Sequence, residues 1–282
     1  MNTILIVGAG GVGGVAAHKC AQLPEIFHEI HLASRTLSKC RLVATSIRQR
    51  TGQEISTHRV DADNLNEAIA LLRNLSPDLL LNLALPYQNL TLMEACLATG
   101  TNYLDTANYE SPETAGFEYK WQWRYHEEFR EKNLCALLGS GFDPGVTNVF
   151  TSYASKHYFD EISELDIVDV NGGENNESFA TNFNPEINIR EVSAACRHWE
   201  GDRFVESPAF STHRSFSCPE GLGDFEIYRM YHEELESLTA AFPSLRRAQF
   251  WMSFSPSYLQ HLKVLTNVGM TSIHPIDYHG EL

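Results

Sequence analysis

Three features of this sequence predict an α/β fold. The glycine-rich turn Gly8-Ala9-Gly10-Gly11-Val12-Gly13 follows an apolar run directly and opens a helical stretch. Short apolar runs then alternate with amphipathic stretches to about residue 138, the rhythm of βαβ units feeding a parallel sheet. Beyond two breaker clusters packed into residues 139–145, the texture becomes aromatic and β-like. These features predict a Rossmann-type doubly wound parallel sheet followed by an α+β substrate domain, divided at 1–143 and 144–282, and a length of 282 residues accommodates both.

The elements follow in order. Thr3–Val7 is an unbroken apolar run and reads as the first strand, with residues 12–23 a helix behind the glycine turn. Residues 29–33 and 55–60 read as strands flanking a helix over 37–50. Asn64 is placed to cap a helix running to about residue 74, residues 78–82 form a strand, and Gly100 ends a helix over 89–99. A strand at 103–105, one long helix within 113–132 and a strand at 134–138 complete the first domain. In the second, residues 162–170 alternate as a strand should, 204–216 is β-like, and 223–239 reads as helix.

A formal charge of -15 disfavours phosphate-backbone binding, so nucleic acid is an unexpected partner, whereas cationic ligands suit the field. The six cysteines form no CxxC pair, which excludes a zinc ribbon or redox dithiol and fits a reduced cytoplasmic protein. Residues 79–85, the richest apolar run after the first, are far too few to span a membrane.

In the glycine turn, Gly8 permits the tight bend, Gly10 lets backbone approach a pyrophosphate, and Gly13 lets helix pack closely on strand, while Gly11 and Val12 present helix N-terminal N–H groups to the anion. The second strand ends Ala33-Ser34-Arg35-Thr36, without the acid that reads a ribose 2'-hydroxyl. Arg35, Ser34, Thr36 and Lys39 suit a 2'-phosphate, so NADP(H) is the expected cofactor. Asp61 stands where the adenine end would pass, and Pro86 and Tyr87 stand at the carboxyl edge of the fourth strand, beside the nicotinamide and substrate.

No HExxH or GxSxG motif is present, and no metal site is expected. Asp105 and Asp143 both end strands, and either carboxylate suits an ammonium group. The glycine turn, Tyr103-Leu104-Asp105-Thr106, Gly141-Phe142-Asp143-Pro144-Gly145, Asn184-Pro185-Glu186-Ile187-Asn188-Ile189-Arg190-Glu191, Tyr231-His232-Glu233-Glu234-Leu235 and Asn267-Val268-Gly269-Met270-Thr271 together resemble the saccharopine dehydrogenase family, most closely its carboxynorspermidine-forming branch. The resemblance runs over nearly the whole chain. It implies an NADPH-dependent reductive condensation of L-aspartate 4-semialdehyde with a diamine, 1,3-diaminopropane or putrescine, in polyamine biosynthesis. A saccharopine-type amino-acid dehydrogenase of lysine metabolism is the alternative within the family.

In that chemistry an amine and an aldehyde form an imine spontaneously, so positioning matters more than a strong base. Arg190 is the candidate grip for the amino-acid carboxylate, with Asn182 or Asn188 near it. Asp105, Asp143 or Glu186 would hold the diamine cation, and His232, expected on a helix surface, is the candidate proton donor. Family members run on beyond the position of Leu282, which implies a second domain incomplete at its C-terminal end and a homodimer once that part is supplied. A catalytically impaired NADP-binding remnant, or one part of a split enzyme, is the reading from a different class.

Overall fold

The computed structural model describes residues 2–113, 118–173, 177, 179–181 and 184–274. It divides into two compact units, one of residues 1–110 with 118–146 and the other of 111–117 with 147–282.

The first unit is built on six parallel strands: β1 (Thr3–Val7), β2 (Glu29–Ser34), β3 (Ser56–Arg59), β4 (Leu79–Asn82), β5 (Asn102–Asp105) and β6 (Ala136–Leu137). Their spatial order, β3-β2-β1-β4-β5-β6, reverses direction at β1 and β4, which creates a crevice at the carboxyl ends of these two strands. Alternation along β1 serves both faces. Ile4 and Ile6 pack with Ala17 of α1 (Gly11–Ala21) and with Cys40 and Ile47 of α2 (Leu37–Thr51). Leu5 and Val7 pack with Ala68 and Leu72 of α3 (Leu65–Leu75) and with Leu92, Met93 and Cys96 of α4 (Asn89–Thr99). Asn64 caps α3 by accepting from the N–H groups of Asn66 and Glu67, at 3.1 and 3.2 Å. The long helix expected within 113–132 is instead two short ones, α5 (Lys120–Trp123) and α6 (His126–Glu131). The chain turns at buried Tyr125, whose hydroxyl is tied to Glu94 at 2.5 Å, and this anchor replaces the continuation of the helix.

In the second unit α7 (Val146–His157) leads to β7 (Glu164–Asp169) and α8 (Pro185–Ser193). Strands β8 (Cys196–Glu200), β9 (Phe204–Ser207), β10 (His213–Cys218) and β11 (Gly223–Met230) follow, then α9 (Glu234–Ala241), β12 (Arg247–Ser253) and α10 (Pro256–Asn267). The helix expected over 223–239 is a strand followed by a helix. Polar and apolar residues alternate from Asp224 to Ile227, and Gly223–Cys218 and Tyr228–His213 close a hairpin ladder, so period two prevails over helical spacing. β12 runs parallel to β7 and antiparallel to β8 and β11. Phe250 and Ala248 of β12, Ile167 of β7 and Met230 of β11 meet Val192, Leu235, Leu238 and Leu262 from α8, α9 and α10 in one core. Among the described residues no helix is long and apolar enough to cross a membrane.

Candidate functional site

On the first unit the β1–α1 turn has the shape an anion needs. Gly8 has φ +112°, and a Cβ there would fall 2.3 Å from the Leu83 carbonyl oxygen. A Cβ at Gly13 would lie 1.9 Å from the Gly8 carbonyl oxygen, so helix and strand approach as only glycine permits. Above Gly10 and Gly11, by contrast, an added Cβ meets no described atom within 4 Å. No side chain caps the N-terminus of α1 and its first turn carries no acid, leaving the N–H groups of exposed Gly11 and Val12 without an intrahelical partner. This cradle fits a pyrophosphate.

At the end of β2, Ser34 Oγ accepts from Thr36 N at 3.2 Å, which shapes the bend, and Arg35 and Lys39 are exposed. Arg35 stands 3.7 Å from Asp63, an exposed pair that a 2'-phosphate would compete with. Asp61 accepts from Asp63 N at 3.2 Å, a local turn contact. After β4, Pro86 is buried and Tyr87 half-buried on a short 3-10 turn. That turn is pinned by Gln88, which accepts from Leu85 N and donates to Asp63.

Asp105 departs from its expected role. It is 1% exposed, and its oxygens accept from Gly139 N at 2.7 Å and Gln122 Nε2 at 2.6 Å. Burial pushes its carboxyl up to about 7, against the lowering effect of hydrogen bonds from Gly139, Gln122 and Tyr103. Both oxygens are engaged inside the unit, so Asp105 ties β5 to the chain after β6 and is not available to an ammonium group. Asp143 is half-buried in the 141–145 turn, closed by Gly141 N donating to Pro144 O at 2.8 Å. It belongs to the first unit and His232 to the second. A cavity of about 490 Å3 lies on the first unit among Met93, Trp123, Phe129, Leu134 and Leu138.

The second unit holds a dense ionic cluster. His232 lies in the turn before α9, not on a helix surface, and is 5% exposed, with its ring stacked on Phe250 at 4.2 Å. Its Nδ1 faces Glu234, in a very short contact, and Glu233 at 3.2 Å, while Nε2 faces Glu191 at 3.2 Å. Burial disfavours the imidazolium, but these carboxylates outweigh it and hold His232 well above the ordinary histidine value. Burial pushes Glu233 up to about 8 despite His232. Glu234 is held below the ordinary value because His232 and the Thr147 hydroxyl, 3.1 Å away, overcome its burial. Glu191, His232 and Glu233 are also the one trio of metal-ligand type among the described residues. With both ring nitrogens donating, His232 has no lone pair for an ion, and we assign no metal.

Helix α8 explains which residues reach this cluster. Asn184 caps it, accepting from Glu186 N and Ile187 N, and Pro185 occupies its first position. Asn188 and Glu191, three residues apart, share the inward face: Asn188 Oδ1 accepts from Tyr258 OH at 2.7 Å, and Glu191 meets His232. Glu186 and Arg190 pair with each other at 3.3 Å, and Arg190 also donates to the Pro112 carbonyl at 3.2 Å. The two residues expected at opposite ends of the substrate are thus partners on one helix. Asn182 lies outside the described residues. Asp169 and Tyr258, missed in the sequence, line a polar cavity of about 120 Å3 with Asn171, Asn188 and Ser253. An odd position in β7, polar among apolar residues, was the available signal for Asp169.

Comparisons with known proteins agree along the chain. Residues 4–137 match the family described as saccharopine dehydrogenase NADP binding domain, and residues 141–281 the saccharopine dehydrogenase C-terminal domain. The chain is 53% identical over 281 residues to carboxyaminopropylagmatine dehydrogenase of Synechocystis sp., covering all of this chain and 69% of that protein. It is 39% identical over 285 residues to carboxynorspermidine synthase of Vibrio alginolyticus, covering 98% of this chain and 68% of that protein. Apo saccharopine dehydrogenase (L-Glu forming) from Saccharomyces cerevisiae superposes with a TM-score of 0.71 at 12% identity, over 96% of this chain and 59% of that one, a likeness of fold. The cofactor is NADP(H), in keeping with the cradle and the cationic end of β2.

Proposed function

Because this chain belongs to the saccharopine dehydrogenase family and is an NADP-dependent oxidoreductase, we propose that it catalyses the reductive condensation of L-aspartate 4-semialdehyde with agmatine in polyamine biosynthesis. The expected amine was a diamine. The stronger likeness, 53% against 39%, is to the relative named for an agmatine adduct, and it moves the reading to the guanidino amine.

The observation that carries this reading is the charge around His232. Four carboxylates, Asp169, Glu191, Glu233 and Glu234, gather about one imidazolium. Even with Glu233 protonated the cluster is short of positive charge, and a cationic amine supplies it. The aldehyde and amine first join as a carbinolamine; loss of water gives an iminium carbon that takes a hydride and becomes a secondary amine. Gly8 to Gly13 and Arg35 would hold NADPH, which would supply that hydride. His232, buffered by three carboxylates, is the group suited to protonate the departing hydroxyl, and Glu191 and Glu234 keep its ring oriented. Neighbouring carboxylates favour the iminium cation over the neutral carbinolamine.

The test is NADPH oxidation by purified protein with the semialdehyde and agmatine together and with each omitted. Oxidation that needs both supports the proposal. Faster oxidation with 1,3-diaminopropane or putrescine would return the reading to a diamine.

A further inference from the structure

The cavity on the second unit has one carboxylate and no cation in its wall. Asp169, Asn171, Thr181, Asn188, Ser253, Ser255 and Tyr258 are its polar lining. Asp169 is partly buried, and among the described residues its oxygens make no hydrogen bond or ion pair. Burial pushes its carboxyl upward, the His232 imidazolium draws it back, and Glu191 and Glu234 push it up again. His232 is already shared by three carboxylates, so it does not neutralise Asp169.

The neighbouring groups are braced rather than mobile. Asn171 N donates to Ser253 Oγ at 2.8 Å, Gly173 N donates to Asn171 Oδ1 at 3.0 Å, and Tyr258 OH donates to Asn188. The Tyr258 ring is stacked between Phe254 at 5.3 Å and Phe179 at 5.1 Å, an aromatic wall beside the carboxylate. In register, Asp169 of β7 pairs with Met252 of β12. That puts it on the face where Phe250 carries His232, one side-chain step along the sheet. A ligand reaching from the cavity along this face would set one end at Asp169 and pass beside His232.

At about 120 Å3 the cavity is far below the few hundred cubic ångströms of a whole small-molecule site, so it suits one end group of a longer molecule. The end group must be cationic, because its wall is acidic and lacks a countercharge. It must also present several donors, because the Asp169 oxygens, Ser253 Oγ and the second lone pair of Asn188 Oδ1 all offer acceptor positions. A planar guanidinium meets both conditions, with donors spread in one plane and an apolar face for the aromatic wall. We propose that this cavity is the socket for the guanidinium end of the amine substrate, with Asp169 as its counter-charge and determinant of amine specificity. The inference rests on the agmatine reading above.

The experiment compares wild type with Asp169→Asn and Asp169→Glu, all checked for native melting. Steady-state kinetics vary agmatine and the semialdehyde in turn, and methylguanidine is titrated calorimetrically and as an inhibitor. Loss of one charge-assisted contact predicts a KM for agmatine raised about 10- to 100-fold in Asp169→Asn, with the KM for semialdehyde unchanged and partial recovery in Asp169→Glu. Methylguanidine should compete with agmatine in wild type and bind undetectably to Asp169→Asn. An unchanged agmatine KM, a semialdehyde KM that rises in step with it, or methylguanidine binding equally to both proteins would overturn the socket. If wild type fails to turn over agmatine at all, the agmatine reading falls, and methylguanidine calorimetry on the same two proteins still decides whether the socket exists.

Discussion

Asp105→Asn separates the cost of a buried charge from everything else that varies with pH. In the fold the Asp105 carboxyl sits near 7, and in an unfolded chain near 3.8. An acid whose folded value is the higher one keeps its proton in the fold after the unfolded chain has lost it. Its favourable contribution is therefore complete below about pH 4, declines as pH rises, and is gone above about pH 7. The whole displacement corresponds to about 4 kcal/mol, of which about 2 kcal/mol falls between pH 5.5 and 8.5. Asparagine has no charge to lose, so the variant lacks this slope. It carries instead a constant penalty of about 1–3 kcal/mol, since its amide nitrogen meets the donor Nε2 of Gln122 or leaves Gly139 N without an acceptor. Urea denaturation of both proteins across that range measures the difference, and slopes from other groups, Glu233 among them, cancel in the comparison. Wild type should lose about 2 kcal/mol more than the variant on going to the higher pH. Parallel slopes would refute a proton on Asp105 and with it the account of its burial.

Gly10→Ala and Gly13→Ala should part company. The first adds a Cβ into empty space and should leave the melting temperature nearly unchanged while weakening NADPH at least about tenfold. The second drives a Cβ into the Gly8 carbonyl and should destabilise by about 3 kcal/mol or more, seen in thermal melts. Arg35→Ala should weaken NADPH about 10- to 100-fold and NADH little, by fluorescence titration; equal losses would remove the case for a 2'-phosphate contact. His232→Gln should abolish turnover and cost about 3–5 kcal/mol, because buried Glu234 loses its counter-charge, and Glu234→Gln in the same chain should restore much of that stability.

The sheet of the first unit was legible because its strands are unbroken apolar runs and its turns carry glycine or a capping asparagine. The glycine turn and Asn64 show how a local signal survives when tertiary structure agrees with it. Asp105 was misjudged because ending a strand at the carboxyl edge says where a side chain starts and not which neighbours surround it. The motif around Arg190 shows another limit. Both Arg190 and Glu191 stand in the same octapeptide, and only the angle at which α8 rolls onto the sheet decides that Glu191 faces His232. Histidine 232 looked like a surface residue because Glu233 and Glu234 beside it look solvated, whereas in the structure the three satisfy one another's charge. Asp169 has no motif at all, and its position becomes meaningful through register with a strand more than eighty residues later.

That late strand also bears on synthesis. Every strand of the first sheet has been made by residue 137, and its order can be laid down nearly as the chain emerges. In the second unit β7 awaits β12, residues 247–253, before it finds a hydrogen-bonding neighbour, and the β8–β9 and β10–β11 hairpins await the same strand before they join one sheet. On the ribosome a nucleotide-binding unit therefore stands complete while β7, the strand that carries Asp169, is still unpaired, and a chain stalled short of residue 247 is able to bind cofactor with nothing to reduce.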